Sequence, residues 1–152
     1  MPLLKRACSL LFIDLDDFKA VNDQHGHAAG DLLLQALGCR LLNAVRPDDR
    51  VCRQGGDEFL CLLPSIRNEV QALAVARKLV DAVSAPCQLH DVTVQVQASV
   101  GIAIYPEDGH TVQHLMDRAD RVMYWAKAER LGMGLASRVP ALFRPGLSAT
   151  VN

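Results

Sequence analysis

Two adjacent glycines constrain this chain more than any other feature. Gly55 and Gly56 lie between two short apolar-rich runs, residues 50–53 and 59–63. Glycine reaches positive φ without steric cost, so the arrangement predicts a tight β-hairpin. Residues 9–14 (Ser9-Leu10-Leu11-Phe12-Ile13-Asp14) form another short apolar run that ends in acid. They read as a buried strand whose end opens toward solvent.

The remaining pattern alternates between helical and strand periods. Residues 18–26 are polar and end in glycine, as expected of a short helix or turn followed by a loop. Over residues 27–42, Leu33, Leu34, Leu37, Leu41 and Leu42 recur at helical spacing until Pro47 breaks the chain. Residues 67–84 are amphipathic, with Val70, Leu73, Ala74, Val80 and Val83 along one side and Arg77 at its edge. Val92, Val94, Val96 and Ala98 alternate with polar residues, which predicts one half-buried strand. Val100, Ile102 and Ile104 continue as a further strand until Pro106. Residues 111–129 carry a long apolar helical face of Val112, Leu115, Met116, Ala119, Val122, Met123 and Ala126, with Tyr124 and Trp125 as packing residues at its end. The order predicts an α+β domain, helices around a mainly antiparallel central sheet.

Composition narrows the function classes. At 152 residues, half of them hydrophobic, the chain suits one packed domain. Residues 1–137 are assigned to it, and residues 138–152 form a weakly patterned tail with Pro140, Pro145 and Gly146. The formal net charge of -1 argues against bulk electrostatic binding of nucleic acid but leaves room for a nucleotide pocket. No stretch reaches the roughly 18 apolar residues of a membrane span. Lys5 and Arg6 precede an apolar run, but Asp14 and Asp16 interrupt it, so no signal peptide is expected and the domain is placed in the cytoplasm. The five cysteines show no CxxC or zinc spacing and read as buried thiols of a reducing compartment.

The acids carry the chemistry. Asp14 ends the first strand, Asp16 and Asp17 follow it, and Asp57 and Glu58 leave the Gly-Gly turn. A central strand beside a hairpin can bring the two sets together. Clustered carboxylates repel unless cations hold them, and magnesium favours a few carboxylates together with phosphate oxygens and water. Taken separately, Asp14 can equally cap a turn, and Asp57-Glu58 can be a solvated hairpin tip.

The pieces occur in a particular order. Phe12-Ile13-Asp14-Leu15-Asp16-Asp17-Phe18-Lys19-Ala20-Val21-Asn22-Asp23 is followed by Gly26-His27-Ala28-Ala29-Gly30-Asp31 and then Arg53-Gln54-Gly55-Gly56-Asp57-Glu58-Phe59. Ser99-Val100-Gly101-Ile102-Ala103, Arg118-Ala119-Asp120 and Tyr124-Trp125-Ala126-Lys127 complete the series. This set, from about residue 8 to about residue 130, resembles the GGDEF family of diguanylate cyclases. The resemblance implies a fold similar to polymerase palms and class III nucleotide cyclases. It implies condensation of two GTP molecules into cyclic di-GMP and two pyrophosphates, with Mg2+ or Mn2+, in a homodimer governed by an upstream sensor domain.

The resemblance also implies roles for individual residues. Asp14 matches the first metal-binding aspartate, with the Leu15 carbonyl beside it. Asp57 matches the second metal carboxylate and acceptor of the 3′-hydroxyl proton, and Glu58 an assisting acid. Gly55 and Gly56 let backbone approach the nucleotide. Lys19 matches a lysine near the phosphates, and Lys127 one that reaches the terminal phosphates. Asn22 and Asp31 match the guanine readers, whose amide and carboxylate suit the edge of that base. His27 matches a pocket histidine, or is a turn residue before a helix. Arg46-Pro47-Asp48-Asp49 places an RxxD pattern nine residues before Gly55, the offset of the family's inhibitory product site. There Arg46 and Asp49 would grip cyclic di-GMP.

Two departures are expected to matter. The family's D-x-L-T-G-L-x-N-R segment before the first strand has no counterpart in the eight residues preceding Ser9. Leu131 stands where the family often has a phosphate-contacting arginine, and Arg130 is its neighbour. The alternatives to a cyclase are therefore a module that binds GTP or cyclic di-GMP without turnover, and an inert fragment of a longer sensor protein.

Overall fold

The computed structural model describes residues 6–139 of the chain. Strand β1 (Cys8–Asp16) leads into helices α1 (Phe18–His25) and α2 (His27–Ala44). The hairpin β2 (Arg50–Gly55) and β3 (Glu58–Leu63) precedes α3 (Glu69–Ser84). Two short strands follow, β4 (Cys87–Leu89) and β5 (Val92–Val94), and then β6 (Gln97–Tyr105). Helix α4 (Val112–Ala128), β7 (Met133–Leu135) and a 3-10 turn over Ala136–Arg138 complete the described chain.

The main sheet has the order β2-β3-β1-β6-β7. β1 pairs antiparallel with both β3 and β6, and only β6–β7 is parallel. The expected α+β architecture with a mainly antiparallel sheet is observed. The expected single strand over residues 92–98 is two. Val92–Val94 pairs with Cys87–Leu89 in a separate two-stranded sheet, and Gln97 and Ala98 open β6. Gln95 and Val96 belong to neither strand.

β1 is apolar on both faces for most of its length, as a central strand must be. Leu11, Ile13 and Leu15 point into the main core, with Phe59, Cys61, Val100 and Ile102, beneath α2 and α3. Cys8, Leu10 and Phe12 point the other way, against Leu115, Ala119, Val122 and Met123 of α4. Side chains alternate along a strand, so Asp14 and Asp16 continue this second row. The α4 face of the sheet thus runs from apolar to acidic along one strand.

Gly101 sets how closely α4 approaches. A Cβ there would lie 2.0 Å from the Ala119 carbonyl oxygen and 2.4 Å from the Met123 nitrogen. From Met123, four helical residues cover about 6 Å to Lys127. From Phe12, which pairs with Gly101, two strand residues cover about 6.7 Å to Asp14. The two paths are matched in length, and they end together.

The buried face of α3 differs from expectation. Ala72, Ala76, Leu79, Val80 and Val83 are buried, whereas Val70 is 79% exposed and Ala74 is exposed. Leu42 is likewise exposed at the end of α2. Cys8, Cys61 and Cys87 are buried as expected, but Cys39 and Cys52 are exposed. Trp125 packs as expected, its ring lying 3.0 Å from where a Gly134 Cβ would be. No helix among the described residues is long and apolar enough to cross a membrane. Beyond Val139 the weakly patterned tail lies outside the described residues.

Candidate active site

The register brings the two acid sets together. Asp14 is paired with Glu58 across β1–β3 and with Ser99 across β1–β6. Gly56 turns the hairpin at φ 51, a left-handed conformation that favours glycine. The Arg53 Nε–H donates to the Gly56 carbonyl (2.8 Å), and a bulge shifts the β2–β3 register between Arg53 and Gly55. The Leu15 N–H donates to the Asp57 carbonyl (3.1 Å), fastening the hairpin tip to the end of β1.

Asp14 is 6% exposed, so the strand end that was expected to open toward solvent is covered at this residue. It continues the row of Leu10 and Phe12 beneath α4, which covers it. Its Oδ2 accepts from Lys127 Nζ at 2.8 Å, while its Oδ1 is buried without a hydrogen-bond partner. Burial raises the Asp14 carboxyl to about 6, against the pull of Lys127 and with help from Asp57 and Asp16. Glu58, half-buried, is also raised, first by burial and then by Asp14, Asp120 and Asp57. Burial alone would lower Lys127, but its bond to Asp14 and the surrounding acids raise it.

A buried carboxylate oxygen without a partner is costly and calls for a cation. Lys127 meets half of that demand, with Asp16 Oδ1 a further 3.7 Å contact. Among the described residues no three His, Cys, Asp or Glu side chains already converge on one point. The fit is instead to an ion that keeps water and ligand oxygens: one buried free oxygen on Asp14, with Asp57 and Glu58 half-buried beside it. Hard oxygen donors in that number suit magnesium.

The remaining expected residues lie on the adjoining elements. Lys19 is exposed in the first turn of α1, and His27 is exposed at the start of α2. Asn22 lies against Gly30, where an added Cβ would fall 1.8 Å from the Asn22 Oδ1. That contact sets Asn22 beside the start of α2, and Asp31 is the next, exposed residue. Arg46 and Asp49 lie in the turn before β2, apart from the acids. Asp49 is buried, its Oδ2 accepting from the Arg46 N–H at 2.9 Å, while the Arg46 side chain is exposed.

Three polar residues to which the sequence reading gave no individual role join the site. Asp16 accepts from the Ser99 hydroxyl (3.0 Å) and lies near Lys127. Its spacing of two from Asp14 already placed it on the same strand face, whereas Ser99 needed the register. Asp120, on α4, has a buried Oδ1 without a partner, and burial raises its carboxyl.

Comparison with known proteins identifies the family of the chain. The sequence profile of the family described as "Diguanylate cyclase, GGDEF domain" matches residues 4–132. The bifunctional diguanylate cyclase/cyclic di-GMP phosphodiesterase MucR of Pseudomonas aeruginosa is 48% identical over 122 residues, covering 80% of this chain and 18% of MucR. Diguanylate cyclase TpbB of the same species is 42% identical over 125 residues, 82% of this chain and 29% of TpbB. The solved GGDEF domain of TpbB superposes with a TM-score of 0.83 at 40% identity, covering 87% of this chain and 78% of that one. A DgcB coiled-coil and GGDEF structure from Caulobacter crescentus, in complex with c-di-GMP, gives 0.72 at 25% identity, over 85% and 69% of the two chains. This chain belongs to the GGDEF diguanylate cyclase domain family. It spans less than a third of the length of either of the two full-length relatives.

Proposed function

We propose that residues 1–137 form a diguanylate cyclase domain that joins two GTP molecules into cyclic di-GMP and releases two pyrophosphates. The observation that carries this reading is the buried, unpartnered Asp14 oxygen opposite the Asp57-Glu58 turn, in a chain of this family. Asp14, the Leu15 carbonyl, Asp57 and Glu58 would hold magnesium or manganese. When bound, such an ion neutralises phosphate charge and lowers the pKa of a coordinated hydroxyl.

The chain's own groups do the rest. Asp57 accepts the 3′-hydroxyl proton as that oxygen attacks the α-phosphate of the facing GTP, and Glu58 assists. Lys19 stabilises charge that develops on the phosphates. Asn22 and Asp31 read guanine, His27 borders the base pocket, and Gly55 and Gly56 leave room for the nucleotide. Lys127, released from Asp14, serves the terminal phosphates. Each domain holds one GTP, so two copies must face each other, and an upstream sensor domain would set that pairing in the cytoplasm. Arg46 and Asp49 would take product at a separate inhibitory site.

The experiment is incubation with GTP and magnesium, with cyclic di-GMP read by chromatography. Product that disappears on omission of divalent metal supports the reading. GTP binding without product would instead establish a binding module, the reading favoured by Leu131, 51% exposed where the family often places a phosphate-contacting arginine.

A further inference from the structure

Met116, Asp120 and Tyr124 recur every four residues along α4 and therefore share one flank of the helix. The other flank is fixed by Val122 and Trp125, which pack against Gly134 of β7. Met116 and Tyr124 belong to the same core cluster as Leu60 and Leu62 of β3. Side chains alternate along a strand, so Leu62, Leu60 and Glu58 form one row of β3 on the α4 face. Asp120 thus stands between two side chains directed at this row. Among the acids acting on Glu58, Asp120 follows Asp14 and precedes Asp57.

Asp120 has no donor of its own. Among the described residues, two buried side-chain oxygens lack a hydrogen-bond partner, Asp14 Oδ1 and Asp120 Oδ1. The first fits the ion of the proposed site, and the second is left unexplained by it. Lys127 lies on the same flank, seven residues or about 10 Å further along the helix, and is committed to Asp14 and Asp16. No ion pair reaches Asp120 among the described residues. An ionised carboxylate accepts hydrogen bonds and donates none, so it offers a second carboxylate nothing but repulsion.

We infer that Asp120 is a positioning residue for the acid site: it denies Glu58 a hydrogen bond to α4 and so keeps that side chain turned toward Asp14. The inference rests on the cyclase reading, in which Asp14, Asp57 and Glu58 hold a divalent ion. Asp120 touches neither ion nor nucleotide in this arrangement and acts through Glu58. An amide of the same shape would do the reverse, because its N–H donates to the Glu58 carboxylate and draws it from the ion.

The test is titration of the whole chain with Mn2+, free ion being read by electron paramagnetic resonance. Asp120→Asn and Asp120→Ala are compared with wild type, each with Glu58 present and in a Glu58→Ala background. Both variants lose the same charge, but only the amide can capture Glu58. Asp120→Asn is expected to bind Mn2+ about tenfold more weakly than Asp120→Ala, and the gap should close in the Glu58→Ala background. Without metal, Asp120→Asn should melt at or above the wild-type temperature, since the buried acid is gone and its replacement has a partner. Equal Mn2+ affinity in the two variants reduces Asp120 to one more negative charge and overturns the inference. Wild-type affinity in Asp120→Asn, a gap that persists without Glu58, or an Asp120→Asn protein that melts below Asp120→Ala overturns it as well. In each of these cases wild-type formation of cyclic di-GMP leaves the cyclase reading standing. A folded wild type that takes up no Mn2+ overturns the inference, and one that also forms no cyclic di-GMP overturns both.

Discussion

Asp14 and Asp49 are both aspartates with less than a tenth of their surface exposed, yet they occupy opposite situations. Asp49 closes a turn: its carboxylate takes the Arg46 N–H, and its own N–H donates to the Arg46 carbonyl at 3.0 Å. Asp14 has one oxygen on Lys127 and the other on nothing, with Asp16, Asp57 and Glu58 adding negative charge nearby. A buried acid whose bonds are made locally is part of the fold. One left incomplete among like charges costs stability, and a chain carries that cost where a ligand completes the site.

The largest test of this contrast is Asp14→Asn. The substitution keeps the shape, removes the buried charge and leaves Lys127 its contact with Asp16. Cyclic di-GMP formation should fall by about a thousandfold or more, the loss expected when a group acting on the reacting centre is removed. The melting temperature should hold or rise. A drop of several degrees together with residual activity would make Asp14 a structural acid like Asp49.

The second test is pH. Asp14 titrates at about 6 in the fold against an ordinary value of 3.8. Above pH 6 the folded and unfolded chains both carry the charge, and the fold bears the cost of burying it. Between about pH 6 and 4 the folded protein takes up the proton first, so stability from this group rises as pH falls. Below that range both forms are protonated and nothing further is gained. The difference amounts to about 3 kcal/mol at most. Metal-free melting curves of wild type and Asp14→Asn should converge as pH drops from 7 to 4. Parallel curves would show that Asp14 is not held up by burial.

Much of this could be read from the chain itself, and the omissions have physical causes. The hairpin at Gly55-Gly56, the end of β1 and the apolar face of α4 were legible because each combines a clear period with a turn residue or an acid at its end. β4, β5 and β7 are three-residue strands, too short to establish a period. On α3 the buried side is built partly from Ala72 and Ala76, whose small side chains give a weak signal beside the exposed Val70. Asp14 and the Asp57-Glu58 turn were foreseeable as partners. The Lys127 contact was not, because it depends on α4 seating on Gly101, a tertiary distance that no local pattern encodes.

A smaller effect is expected from Asp49→Ala. It frees the Arg46 N–H at a turn and removes a bond to a charged acceptor, at a cost of about 1–2 kcal/mol. Thermal unfolding should show this as a shift of a few degrees, with GTP turnover at low product concentration within about twofold of wild type. Turnover lost along with stability would mean that the 46–49 turn supports the acid site directly, and the contrast with Asp14 would fail.

The smallest structural effect, and the sharpest separation of the two regions, belongs to Arg46→Ala. Its guanidinium is exposed, and the turn is closed by its backbone, which alanine retains. Melting should therefore move by less than about 0.5 kcal/mol equivalent. If the turn also receives cyclic di-GMP, the arginine is its available cation, since one Asp49 oxygen is spent on the Arg46 N–H and the residue is buried. Loss of one charged contact then weakens product binding about 10-fold or more while leaving GTP affinity unchanged. Asp49→Ala should lower product affinity too, but through disorder of the turn, and so together with stability. Titrating both variants with cyclic di-GMP and with GTP separates the two effects. Product affinity that follows melting temperature across both variants would reduce the RxxD turn to a piece of the fold. A loss in Arg46→Ala at constant stability would make it a second ligand site, independent of Asp14.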